Sequence, residues 1–244
     1  GHIYTEINDY EKAKNSYMNL YIIGEELDNK RLMATGINNI GDYYEYICDY
    51  LTAMEHFKKA LLMINEIGSK RWLGATLCGI GTIYMLQGNY DKAEKYYLQS
   101  IEVDEEQNNK YWLRYSYMEI GHLFYLNNNY KKAEAFLEKS LSINKSLISK
   151  KGSLLDCSSR LFLVYKKLGK EYDKDEIHNL IKETENIEFE INYRLCQLLE
   201  DTSYLETAYN QVQEKADNLE PDVAKKFLSY PIPAAIVEEW EKVK

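Results

Sequence analysis

The sequence predicts an all-α chain of stacked helical pairs, on three observations. Gly41, Gly81 and Gly121 recur every forty residues, each with an aromatic residue three positions on (Tyr44, Tyr84, Phe124). Tyr50, Tyr90 and Tyr130 follow nine on, and Ala53, Ala93 and Ala133 twelve on; Gly1, Tyr4, Tyr10 and Ala13 keep the same offsets one period earlier. Apolar residues within a period recur at helical spacing, and 45% of the 244 residues are hydrophobic with only three prolines. A fixed period of this length marks a stacked-repeat architecture, in which each unit buries its apolar face only against its neighbours.

The elements follow in order. The motif glycine of the first unit is residue 1, so the sequence is expected to start inside a first helix and to be a piece of a longer chain with a further domain upstream. In the second full unit, Arg71 to Leu86 places Leu77, Ile80, Gly81 and Tyr84 on one helical stripe. Gln87-Gly88-Asn89 breaks that helix, glycine and asparagine supplying left-handed or turn geometry. Tyr90 to Gln107 forms the second helix, with Ala93, Tyr97, Ser100 and Ile101 facing inward. Gly81 and Ala93 let the paired helices approach closely, and Tyr84 and Tyr97 fill the space beside them.

A fifth unit is degenerate: Tyr165 and Gly169 align with Tyr84 and Gly88, while Phe162 and Lys174 replace the packing glycine and alanine. Atypical end units shield a stack from water, so residues 153–187 read as the start of a cap. From Ile187 the period is lost but helical patterning persists. Phe189, Tyr193, Cys196 and Leu199 form one stripe, and Leu205, Ala208, Tyr209, Val212 and Ala216 another. Pro221 opens a short helix at its first turn, and Pro231 and Pro233 break the chain before Ile236–Trp240. The expected organisation is a repeat region over 1–187 and a helical cap over 188–244.

Leu77, Gly81, Tyr84, Ala93, Tyr97 and Ser100 match the tetratricopeptide repeat motif position by position. The flanking units agree, with Ile37, Gly41, Tyr44, Ala53, Phe57 and Ala60, and with Tyr117, Gly121, Phe124, Ala133, Leu137 and Ser140. Most of that family repeats at ~34 residues. The longer period here resembles the subclass found in polarity adaptors and kinesin light chains. The resemblance implies a right-handed α-solenoid whose concave wall, built by the first helix of each unit, holds a protein or peptide segment. The ending from Phe227 to Trp240 is similar to the tails of repeat regions in large bacterial signalling proteins, which implies a sensor or scaffold portion of such a protein.

No catalytic constellation is legible, and an enzyme is not expected. Gly79-Ile80-Gly81 sits mid-helix, where packing explains it. The histidines (His2, His56, His122, His178) are dispersed, and Asp104-Glu105-Glu106 reads as solvated surface at a helix end. Cys48, Cys78, Cys157 and Cys196 lack metal-ligand spacing and read as reduced, buried residues of a cytoplasmic protein. No cofactor and no metal are expected. A net charge of −9 without a basic run argues against nucleic acid, and no apolar stretch reaches the ~20 residues of a membrane span.

Stepping four and three residues along each first helix gives the stripe facing the concave wall. It reads Arg31, Thr35, Asn38, Asp42 and Glu45; then Arg71, Ala75, Cys78, Thr82 and Met85; then Tyr111, Tyr115, Met118, His122 and Tyr125. Asn38 or Asn39 offers a donor and an acceptor to a backbone amide. The resemblance places a peptide-clamping asparagine at Asn39, whose equivalents are Gly79 and Glu119. Arg31 and Arg71 suit acidic ligand groups. Tyr111, Tyr115, Tyr125 and Met118 supply an apolar anchor. The expected partner is a protein or peptide segment; a small-peptide receptor switching an output domain and a module for homo-association are the alternatives. Lys30, Lys70 and Lys110 read as structural residues at the joints.

Overall fold

The computed structural model describes residues 10–70, 72–147 and 151–244. Gly1 and Tyr4 of the first period, and Arg71, lie outside the described residues. Among the described residues the chain is helical, with no strand. It forms two compact units, Gly1–Ser116 and Tyr117–Lys244.

In the first unit α1 (Tyr10–Glu26), α2 (Lys30–Tyr46), α3 (Tyr50–Ile67), α4 (Leu73–Leu86) and α5 (Tyr90–Glu106) each pack on the next, and α2 also touches α4. α6 (Lys110–Leu126) carries the division between the units within it. The second unit continues with α7 (Tyr130–Ser146), α8 (Lys151–Leu168), α9 (Lys174–Lys182), α10 (Phe189–Leu199), α11 (Thr202–Asp217), α12 (Pro221–Ser229) and α13 (Pro231–Val243). There α8 packs on α7, α9 and α10, and α11 packs on α10, α12 and α13.

The helix ends explain the regularity. Asp28, Cys48, Gly68, Gly88, Asn108 and Asn128 all hold positive φ, one every twenty residues, so each period contains two identical stops. The next residue often restarts the chain. Asn29, Asp49, Asn89 and Asn129 are N-caps whose side chains accept backbone N–H groups of the following helix.

The motif glycines have a steric cause. A Cβ on Gly41 would lie 2.7 Å from the Phe57 ring, on Gly81 2.8 Å from the Tyr97 ring, and on Gly121 2.7 Å from Leu137 Cγ. Phe57, Tyr97 and Leu137 are wholly buried, each sixteen residues after its glycine, so a large second-helix side chain seats on the bare first-helix backbone. The aromatic motif residues repeat as ring pairs. Tyr44 stacks on His56, Tyr84 on Tyr96 and Phe124 on Phe136 at 5.3, 5.5 and 5.6 Å. The joint lysines Lys30 and Lys70 pair with Glu66 and Glu106. Those pairs are exposed and screened by solvent, so they contribute little.

Three local readings change. Asp104 is not solvated surface: it is 1% exposed, against Gly74, where a Cβ would lie 2.4 Å from its Oδ1. The buried residues of α10 are Asn192, Arg194, Leu195 and Leu198 rather than the Phe189–Tyr193–Cys196–Leu199 stripe, because Arg194 turns inward onto Asp156 and Ser159. Pro231 begins α13 instead of breaking the chain ahead of it, since the first helical turn needs no N–H from proline.

Candidate functional site

In the first unit the predicted stripe divides into spent and unspent groups. Asn38 is buried, accepting from Thr76 Oγ1 at 2.6 Å and donating to Asp42 Oδ2 at 3.2 Å. Its amide therefore links α2 to α4. Asn39 is also buried. Burial pushes the Asp42 carboxyl up to about 7. Thr82 donates to the Cys78 carbonyl at 3.2 Å and accepts from the Tyr97 hydroxyl at 3.1 Å. Arg31 stands exposed at the first turn of α2, and Arg71 falls outside the described residues.

At the start of α6 the structure gathers more than the stripe foresaw. Tyr111 packs edge-on against Trp112 at 5.1 Å and Tyr115 at 5.7 Å, and Trp112 meets Trp72 at 6.1 Å. The buried Arg114 guanidinium lies 4.9 Å from the Tyr111 ring centre and 4.3 Å from that of Tyr115, and donates to the Tyr115 hydroxyl at 2.8 Å. Tyr111 remains 52% exposed on this aromatic and cationic base.

In the second unit Met118 is buried. Tyr125 is half-buried beside Tyr130, and burial raises its phenol. His122 belongs to a charged network. Burial first, then the Arg160 and Arg194 charges, hold its imidazole well below the usual range, so it is neutral at pH 7. Its Nδ1 is buried without a hydrogen-bond partner, as is Arg160 Nη1.

Asp156 Oδ1 accepts from Arg160 Nε at 3.1 Å and from Arg194 Nη2, and Arg194 Nε donates to Ser159 Oγ at 3.1 Å. Burial alone would raise the Asp156 carboxyl, but the two guanidiniums outweigh it and hold it below its ordinary value. Burial raises Glu119, which sits 3.6 Å from Arg160 Nη2. Asp156 and Arg160 follow Tyr115 and Glu119 by forty-one residues, the offset that also relates Tyr165 to Phe124. Carrying the stripe one period further with a single inserted residue would have found Asp156, and carrying the Asn39–Glu119 register the same way would have found Arg160. Arg194 lies beyond the last recognisable period and had no such signal.

Among the described residues no group of three or more His, Cys, Asp or Glu could hold a metal ion, and no helix is long and apolar enough to cross a membrane.

Two tetratricopeptide repeat models match the sequence, over residues 72–146 and 1–21. By sequence, no curated protein matches the chain. Among solved structures, a Rap protein complexed with Competence and Sporulation Factor is similar at 17% identity and a TM-score of 0.75, over 99% of this chain and 72% of that one. NprR in complex with its cognate peptide NprX is similar at 12% identity and a TM-score of 0.63, over 96% of this chain and 68% of that one. A signal-transduction ATPase of Pyrococcus horikoshii with a tetratricopeptide repeat sensor is similar at 20% identity and a TM-score of 0.55, over 98% of this chain and 37% of that one. The chain therefore carries tetratricopeptide repeats over the matched residues, with motif glycines seated under Phe57, Tyr97 and Leu137, and shares the all-α fold of these solved structures.

Proposed function

We propose that the chain binds a protein or peptide segment through the exposed faces of its first helices. The observation that carries this reading is the Tyr111 platform. A large aromatic side chain stands half in water, on a base of Trp112, Tyr115 and Arg114 that is already ordered. Rigid aromatic surface of this kind gives contact area at low entropic cost and dominates binding energy at interfaces. Arg31 supplies an exposed charged group on α2 for ligand side chains. Two of the similar structures are complexes with a peptide or factor, which favours a small-peptide receptor as the finer reading. The proposed setting is the sensor or scaffold portion of a cytoplasmic signalling protein.

The test is affinity capture from native cell extract, with an Arg31→Glu/Tyr111→Ala variant beside the parent. Both positions are exposed, so the variant should keep the parent's melting temperature. A partner retained by the parent and lost by the folded variant is the expected result, and titration of its peptides would then locate the bound segment. Equal capture by both proteins would overturn the reading, and capture of the chain alone would replace it with homo-association.

A further inference from the structure

We infer that the second unit carries a subsite for a basic group, a guanidinium or ammonium of a bound segment, seated on Glu119, Asp156 and Glu190 over the buried Arg160–Arg194 pair. This names the chemistry of part of the ligand and rests on the segment-binding reading above.

The order of exposure sets the sign of the ligand. The two arginine side chains are each 9% exposed, whereas Glu119, Asp156 and Glu190 are 17%, 22% and 38% exposed. An incoming group therefore meets the acidic side chains first, with the arginines behind them. The charge balance agrees. Glu119, Asp156, Glu190 and the neighbouring Glu188 outnumber Arg160, Arg194 and the Lys215 beside Glu188, and His122 contributes no compensating charge while neutral. An anionic ligand would be repelled by this rim, and a cation completes it.

The network is also not closed on itself. Asp156 is well held, with both guanidiniums on one oxygen. By contrast Glu119 meets Arg160 only at 3.6 Å and Glu190 meets Arg194 only at 3.9 Å, both beyond hydrogen-bond length. Those two carboxylates retain acceptor capacity for an outside donor. Arg160 Nη1, on a side chain more than nine-tenths buried, has no acceptor. A buried donor left unpaired is costly, and a purely structural ion network would be expected to satisfy it. An acceptor on the same segment, such as the backbone carbonyl beside its basic residue, is the kind of group this donor lacks. The site therefore fits a basic residue together with its own backbone.

The test uses the whole chain and immobilised mixtures of N-acetylated, C-amidated heptapeptides, each with one position fixed as Arg, Lys, norleucine or Glu. Mixtures with Arg or Lys at one position should be retained roughly tenfold better than norleucine, the scale of one charge-assisted pairing. In a Glu119→Gln/Glu190→Gln variant that keeps the parent's melting temperature, the preference should fall to about twofold. Should the double variant misfold, the single Glu190→Gln change at the half-exposed rim must still weaken it. Retention without a basic preference, or a basic preference untouched by these variants, overturns the subsite while leaving segment binding standing. Retention of no mixture at all overturns the segment-binding reading and the subsite with it.

Discussion

Asp104 and Asn144 occupy the same place one period apart and make opposite use of it. Asn144 Nδ2 donates to the Ser140 carbonyl at 3.1 Å and to Ser140 Oγ at 3.4 Å. Asp104 stands where it would face Ser100, but its Oδ2 is buried without a partner and burial pushes its carboxyl up to about 7. The folded state therefore binds more protons than the unfolded chain between the unfolded pKa of ~3.9 and ~7. That contribution is lost as pH rises through this window. Asp104→Asn, which supplies the donor Asn144 already uses, should stabilise the protein by about 2 kcal/mol at pH 8 and by much less at pH 4.5. Denaturant unfolding of parent and variant at the two pH values checks this, and an equal effect at both would show that Asp104 does not titrate in the fold. The residue is illegible in the sequence because Asp104-Glu105-Glu106 looks like any solvated helix end; only the approach of Gly74 buries its first member. Gly81 is the opposite case, legible as a small residue but not as to which side chain covers it. Gly81→Ala should cost about 1–3 kcal/mol despite alanine's better helix propensity, since the new Cβ meets the Tyr97 ring at 2.8 Å.

Element boundaries were the most legible part of the chain, because the stops are made by residue type. Gly88 holds φ +74° and a Cβ there would meet nothing within 4 Å. Gly88→Ala should therefore cost about 1 kcal/mol through the backbone alone. Asn89→Ala, which removes the side-chain acceptor for Lys92 N–H, should also cost about 1 kcal/mol. Thermal melts of the two single variants test both, and a neutral Gly88→Ala would mean the turn relaxes to negative φ. The exceptions show where composition stops being a guide. Cys48 and Glu200 take the same left-handed geometry as Gly88 with no sequence signal for it. Cys48 is buried at its turn, whereas the exposed Glu200 meets Lys166 of α8 at 2.8 Å.

At the scale of the molecule, a forty-residue period gives the helical pairs and their glycine contacts directly, because each contact recurs at a fixed offset within or between adjacent helices. The candidate site is legible only where it keeps that period: Tyr111, Tyr115 and His122 lie on the stripe, whereas the Arg194 side chain joins Asp156 from beyond the last repeat. The same local wiring governs stability. Phe227 is fully buried in α12 and meets Phe189 of α10 edge-on at 6.0 Å. Phe227→Ala should cost about 3–5 kcal/mol where it acts. In a chain whose units depend mainly on their neighbours, that loss stays near the lesion rather than spreading through one cooperative core. Hydrogen exchange of the variant should accelerate over α10–α13 while α2–α5 keep the parent's protection. Equal acceleration across α2–α5 would show that the chain unfolds as a single unit in spite of its repeat construction.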